Sequence, residues 1–329
     1  MKRMLSGIKP TGRLTLGNYI GAISQFIQYQ NEYEMYIFIA NLHAITVAQD
    51  AKELRQNTKD LIALYLACGL DPEKVTLFLQ SDVPAHSALG WVMTCNSYMG
   101  ELNRMTQFKD KTAKGEANIT AGLYTYPSLM AADILLYDAD YVPVGHDQKQ
   151  HVELARNLAE RFNNRYSPTF TVPEPLTAKV GAKIYSLQNP TKKMSKSEDD
   201  PKGSIALLDD PAIARKKIMG AVTDSLANIA YDPENQPGLA NLMQIHSCLS
   251  GESIASIVER FQGKGYGDLK KEVAETVFTF LTDLQAKEHK ILESGIVEEV
   301  VKNGAQKANY IANKKLAKVY RKVGLQIFK

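Results

Sequence analysis

Cysteine is scarce and scattered. Cys68, Cys95 and Cys248 are three in 329 residues, odd in number and without metal-ligand spacing, which excludes a disulfide scaffold or a zinc ribbon. Thiols placed this way point to a reducing cytoplasmic setting. Long apolar runs are also lacking: stretches such as residues 61–66 are far too short to span a bilayer, so no membrane association is expected. The N-terminus is basic at Lys2 and Arg3, but no apolar signal core follows before Lys9 and Pro10, and no secretory leader is expected. Charge of one sign is missing as well. With 39 Lys and Arg against 36 Asp and Glu, the net charge of +3 carries no argument for nucleic-acid binding. There is no internal repeat and no low-complexity tract. The chain does have 44% hydrophobic residues over a length that supports a full core and two domains.

Strand and helix patterns alternate through the first half. Residues 3–8 read as a strand broken by Pro10-Thr11-Gly12, and Asn18 as the cap of a helix running to about Tyr33, with Ile20, Ile23, Phe26 and Ile27 on one face. Residues 35–40 and 75–80 read as further strands. Between them a helix begins at a capping-box-like Asp50 and Glu53 and stops at Gly69. Residues 104–115 break the pattern with Arg104, Lys109, Lys111 and Lys114. A helix from Pro127 to Tyr137, a strand over 140–144, a helix from about Asp147 and a last strand over 183–187 follow. Beyond about residue 205 only helical periodicity remains, over 211–219, 239–249, 253–261, 269–292 and 296–323. The fold class expected is α/β: a Rossmann-like parallel sheet with an inserted helical segment over residues 1–189, then an all-helical domain over 190–329. Apolar residues between Ala88 and Met99 suit either an interface or the core. Lys314, Lys315, Lys318, Arg321 and Lys322 crowd one C-terminal stretch, as a solvated helix face or a polyanion contact.

Two segments suit phosphate chemistry. Lys193-Met194-Ser195-Lys196-Ser197 places two lysines and two hydroxyls on a loop, and Thr15-Leu16-Gly17-Asn18 puts a glycine and a polar cap before a helix. A helix N-terminus offers unpaired N–H groups, and lysines offer mobile positive charge. Either segment alone is common; the two together, at opposite ends of an α/β half, are much more specific. Asp133 is the most discriminating single residue. It shares a helix face with Tyr126, Met130 and Tyr137 among Met, Ala, Ile and Leu, and a carboxylate there needs a donor. A structural Asp bonded to nearby backbone is the alternative. Gly145-His146-Asp147 joins a strand end to a helix start, a natural ribose and phosphate position.

These residues, with Gly7-Ile8-Lys9-Pro10-Thr11-Gly12, His43-Ala44-Ile45-Thr46, Arg104-Met105-Thr106-Gln107-Phe108-Lys109, Leu129-Met130-Ala131-Ala132-Asp133-Ile134-Leu135-Leu136-Tyr137, Val142-Pro143-Val144-Gly145 and Asp147-Gln148-Lys149-Gln150-His151, resemble the bacterial tryptophanyl-tRNA synthetases. These are class I aminoacyl-tRNA synthetases, and the likeness runs in order along nearly the whole chain. It implies activation of L-tryptophan by ATP, with Mg2+, to tryptophanyl-AMP and pyrophosphate, then transfer to the 3′ end of tRNA(Trp). It implies a cytoplasmic homodimer as well.

By the same resemblance, Lys193, Lys196 and Lys111 follow the charge that develops on pyrophosphate, although Lys109 and Lys114 suit the third position equally. Lys9, Pro10, Thr11, Gly17, Asn18, Gly145, His146, Asp147, Ile184 and residues 193–197 would hold ATP. Asp133, Met130, Tyr126, His43 and Gln148 would hold tryptophan, an indole supplying the one N–H that Asp133 needs. No metal-binding residue is implied. Four positions depart from the commonest family pattern: Leu5 for Phe, Lys9 for Gln, Asn41 for Asp and His146 for Glu. Lys9 adds a charge near the ATP. The rivals are a tyrosyl enzyme of the same fold, an adenylyltransferase for a small metabolite, and a catalytically silent nucleotide- or RNA-binding module. Asp133 argues against the first, the helical appendage against the second, and the intact lysine loop against the third.

Overall fold

The computed structural model describes residues 1–106, 108–109, 120–145, 148–176, 183–195 and 200–327. Among these residues five parallel strands form one sheet in the order β3-β2-β1-β4-β5: β1 Arg3–Ile8, β2 Glu34–Ile39, β3 Val75–Leu79, β4 Tyr141–Pro143 and β5 Glu174–Leu176. Alternation along β2 accounts for the two cores. Met35, Ile37 and Ile39 face one apolar cluster, and Tyr36 and Phe38 face the other, so the sheet is buried on both sides.

Several elements differ from the sequence expectation. The first helix is capped by Thr15, whose hydroxyl accepts the Asn18 N–H while the Asn18 amide oxygen accepts the Thr15 N–H at 2.9 Å. Asn18 is thus the third residue of helix α1 (Leu16–Asn18), not its cap. A π-helical stretch, Tyr19–Ile23, separates it from α2 (Ser24–Tyr29), which ends four residues before Tyr33. After α3 (Asn41–Ala44) comes α4 (Ala51–Ala67), where the Asp50 carboxylate accepts the Lys52 and Glu53 N–H groups and Gly69 at φ +108° ends the run. Helices α5 (Ala85–Asn96) and α6 (Met99–Leu102) follow β3. Helix α7 (Ala121–Leu135) starts from a Thr120 cap and carries Pro127 inside it, where a sequence reading puts its start.

Among the described residues the segment expected as a last strand, 183–187, enters no strand and makes an isolated antiparallel bridge between Tyr185 and Lys193. The fifth strand is β5, reached through α8 (Lys149–Arg165). Its Pro175 hides it from a strand search, but β5 is at the sheet edge, where a missing N–H is tolerated. Helices α9 (Pro211–Met219), α10 (Pro237–Ser250), α11 (Ile254–Arg260) and α12 (Tyr266–Ser294) form the helical half. The last helix, α13 (Ile296–Val323), returns to the sheet. A Cβ on Gly304 would stand 1.9 Å from the Leu77 carbonyl oxygen, so this contact with β3 requires glycine. Ala305, Ala308 and Ala312 continue the small-residue stripe and are buried.

Among the described residues no helix is long and apolar enough to cross a membrane.

Candidate active site

A cavity of about 350 Å³ opens at the carboxyl ends of β1, β2 and β4, where the strand order turns from β2 on one side of β1 to β4 on the other. Leu5, Ser6, Gly7 and Lys9 come from β1 and its exit, Phe38, Ala40 and His43 from β2 and its exit. Tyr126, Met130, Asp133 and Ile134 come from α7, and Val142 to Gly145 with Gln148 from the β4 exit. A Cβ at Gly7 would come within 2.4 Å of the Phe38 ring, so the cavity floor depends on that glycine.

Asp133 is fully buried, and its carboxylate is the centre of the cavity's polar side. It accepts from His43 Nε2 at 2.7 Å, His86 Nδ1 at 2.6 Å and Gln80 Nε2 at 2.8 Å. His86 Nε2 meets the Tyr137 hydroxyl at 2.8 Å, and Gln80 Oε1 accepts the Leu42 N–H at 3.1 Å. Burial alone would raise the Asp133 pKa, but the His43 charge and the bonds from His43 and His86 outweigh it and hold the carboxyl at about 2. The partners are side chains from other elements, not the neighbouring backbone. With three donors on a group that accepts about four, Oδ2 retains room for one more.

Beside it, the Tyr126 hydroxyl meets His151 Nε2 at 2.6 Å, its ring stands edge-on to His43 at 6.0 Å, and Lys9 Nζ lies 5.6 Å from the ring centre. Burial pushes the Tyr126 phenol upward.

A second group of expected residues assembles elsewhere. A Cβ on Gly17 would lie 3.3 Å from Met194 Cβ and 3.7 Å from Ile184 Cβ. The bare face of Gly17 is therefore used by the lysine loop itself. Met194 is buried and its N–H donates to Ile184 O at 3.0 Å, which anchors the loop while Lys193 and Ser195 stay exposed. Pro10 is buried and Thr11 half-buried; neither they nor Gly17, Asn18, Ile184 and Lys193 line the Asp133 cavity. Lys111, His146, Asp147, Lys196 and Ser197 lie outside the described residues.

His86 and Gln80 escape a sequence reading, and Tyr137 and His151, which the sequence places on the Asp133 face and in the 147–151 segment, are given no role by it. The signal for His86 is nonetheless the one that singles out Asp133: an ionisable residue on an apolar face, here with Leu89 and Met93 at helical spacing. The C-terminal lysines divide. Lys315 is only 10% exposed and donates to Asp138 Oδ1 at 2.5 Å and Thr169 O at 2.8 Å, so it belongs to neither a solvated face nor a polyanion contact. Lys322, itself exposed, bonds Ser167; Lys314 and Arg321 are exposed and Lys318 is half-buried. In the 88–99 region Leu89, Val92 and Met93 are core, while Trp91, Tyr98 and Met99 are 62–69% exposed.

Far from the cavity, His246, Glu252 and Glu272 bring ligand atoms within 4.8 Å of one another. Arg260 already fills that space, reaching Glu252 Oε2 at 2.7 Å and Glu272 Oε1 at 2.5 Å.

The family model for class I tRNA synthetases (W and Y) matches residues 1–282. The tryptophan–tRNA ligase of Listeria monocytogenes is 56% identical over 326 residues, covering 99% of this chain and 98% of that one. That of Bacillus subtilis is 53% identical over 322 residues, covering 98% and 97%. Among solved structures, tryptophanyl-tRNA synthetase from Mycoplasma pneumoniae superposes with a TM-score of 0.88 at 40% identity, over 99% and 98% of the two chains. The enzyme from Campylobacter jejuni, complexed with ADP and tryptophan, gives 0.85 at 39% identity, over 98% and 100%.

Proposed function

The chain belongs to the class I tRNA synthetases for tryptophan and tyrosine and is a tryptophan–tRNA ligase; from that premise we propose that the Asp133 cavity is its amino-acid site. The observation that supports this most is the buried carboxylate with acceptor room on Oδ2, set among Leu5, Met130, Ile134 and Val142. An indole is an apolar plate with a single N–H donor, and it satisfies both features at once. Met130, Tyr126 and His43 pack around the ring, and Gln148 faces the polar end of the amino acid.

The reaction has two halves. The tryptophan carboxylate attacks the α-phosphorus of ATP, the bond to pyrophosphate breaks, and its electron pair leaves with pyrophosphate. The terminal ribose hydroxyl of tRNA(Trp) then attacks the acyl carbon and releases AMP. ATP lies along Lys9, Pro10, Thr11, Gly17, Asn18, Gly145, His146, Asp147 and Ile184, with the 193–197 loop over its phosphates. Lys193, Lys196 and Lys111 neutralise the charge that grows on pyrophosphate, an interaction worth most in the transition state. Mg2+ comes with the nucleotide. Among the described residues Asp133 is the only carboxylate lining the cavity and is assigned to the indole, so the ion would be brought by the phosphates and would supply charge neutralisation there.

Residues 190–329 form the tRNA-binding domain after a catalytic domain over 1–189, and its last helix is braced on the sheet by Gly304 and Lys315. Trp91, Tyr98 and Met99 make an apolar face suited to a homodimer. The three cysteines are free, which suits the cytoplasm.

ATP–pyrophosphate exchange with a panel of amino acids and no tRNA tests the site. Exchange is expected with tryptophan, and in Asp133→Asn its lead over tyrosine and phenylalanine should collapse. An undiminished lead in the variant removes Asp133 from the site.

A further inference from the structure

We infer that His86, which does not line the cavity, is a positioning residue: it fixes the Asp133 carboxylate in the orientation that favours a substrate ring bearing an N–H donor. The inference rests on the proposed role of Asp133 and extends it to a buried chain of three side chains.

His86 is fully buried on α5, and both ring nitrogens are engaged. A carboxylate can only accept, so His86 donates through Nδ1 to Asp133 Oδ1 at 2.6 Å, and Nε2 is left to the Tyr137 hydroxyl at 2.8 Å. Tyr137 stands one helical turn after Asp133. The His86 ring is further held by Phe38, Phe78 and Tyr137, whose ring centres lie 5.6, 6.0 and 5.5 Å away. It has no room to turn.

The terminal torsion of an aspartate is broad and two-fold, so one bonded oxygen does not define the carboxylate plane. Here Oδ1 takes two donors, His86 and Gln80, arriving from α5 and from the turn after β3. Gln80 is itself pinned by the Leu42 N–H. Two donors from different elements lock the plane and saturate Oδ1, which directs the remaining acceptor position to Oδ2 beside His43. A buried acceptor with no donor is costly, so a ring lacking the N–H is disfavoured in proportion to how well that position is held.

Substitutions can separate the two bonds of His86. Asn places its amide nitrogen near the position of Nδ1, and Gln places its own near Nε2. The full-length enzyme would be assayed by pyrophosphate exchange with tryptophan and with the analogue in which sulfur replaces the ring N–H, taking kcat and KM for each. His86→Gln should narrow the tryptophan-to-analogue ratio of kcat/KM by about tenfold, through KM for tryptophan, with KM for ATP unmoved. His86→Asn, which keeps the donor to Oδ1 but loses the Tyr137 bond, and Tyr137→Phe, which keeps the ring, should each narrow it by only about threefold. Equal losses for both substrates in His86→Gln, or an unchanged ratio in a His86→Gln enzyme of wild-type Tm, would overturn the inference. If His86→Gln does not fold, Tyr137→Phe decides by the same ratio. Asp133→Asn is the control: if it leaves the ratio unchanged, the role of Asp133 fails; if it collapses the ratio while the His86 variants do not, only the role of His86 fails.

Discussion

Two histidine–carboxylate clusters lie in different halves of the molecule, and their chemistry looks alike at first. In one, His43, His86 and Gln80 surround Asp133; in the other, His246 and Arg260 surround Glu252 and Glu272. Asp133 and Glu252 are both held at about 2. The causes differ. At Glu252 the bonds from Arg260 and Ser256 come first, on a carboxylate with access to solvent, whereas at Asp133 burial opposes ionisation and the two histidines override it. The surroundings differ more. Arg260 fills the space between its carboxylates, while Asp133 borders a cavity of about 350 Å³ with acceptor room left. A depressed carboxyl pKa therefore does not mark a site by itself. What sets Asp133 apart is unused bonding capacity next to space.

The largest effect should come from removing the acceptor of the first cluster. Asp133→Leu leaves three buried donors without a partner and should cost about 3–5 kcal/mol of stability along with exchange activity. Denaturant unfolding measures this; a loss under about 1 kcal/mol would erase the contrast with the second cluster.

Next is the exposed Lys193, to which a catalytic role is proposed. Lys193→Ala should slow pyrophosphate exchange by roughly a hundredfold, about 2–3 kcal/mol, with tryptophan affinity nearly unchanged. Rapid-quench kinetics beside equilibrium binding separate the two, and a parallel fall in affinity would make the loop structural.

Arg260→Gln breaks the second cluster. Partly exposed pairs are weak, so about 1 kcal/mol of stability, a few degrees of Tm, should be lost, and exchange should stay at the wild-type rate. Reduced exchange in a folded variant would link the helical cluster to catalysis.

The smallest effect is in acid. A carboxyl with a depressed folded pKa contributes stability that is present above its unfolded pKa near 4 and is lost as pH falls through about 2. Glu252→Gln should flatten the decline in this window only slightly, because its ion pairs are solvent-screened, and most of the wild-type slope from these two groups should persist through Asp133. Unfolding midpoints at neutral pH and in the acid window test this. A flat profile in Glu252→Gln would reverse the ranking.

Much of the α/β half is legible because parallel strands buried on both faces read as apolar runs, as residues 35–39 do, and because caps such as Asp50 and stops such as Gly69 mark helix ends. The long helices α12 and α13 declare themselves by period alone. Legibility fails where a local rule is overridden by context. Pro175 hides an edge strand, Pro127 is accommodated within α7, and Ile184 and Leu187 are buried by packing without entering the sheet.

Asp133 could be singled out from residue types and spacing, since an acid on an apolar helix face needs a donor wherever the chain goes. Which donors answer that need lies beyond local pattern. His43, Gln80 and His86 are 90, 53 and 47 residues away in sequence, and only the crossing of β2, β3 and α5 over α7 brings them together. Lys315 shows the same division: the sequence sets its charge, and Asp138, 177 residues away, decides that the charge is spent inside the fold. Local pattern determined the elements and the chemistry each carries, because helix period, strand alternation and caps act over a few residues. Partner choice, and with it the acceptor position that remains open, is a long-range property that the packed sheet and helices alone decide.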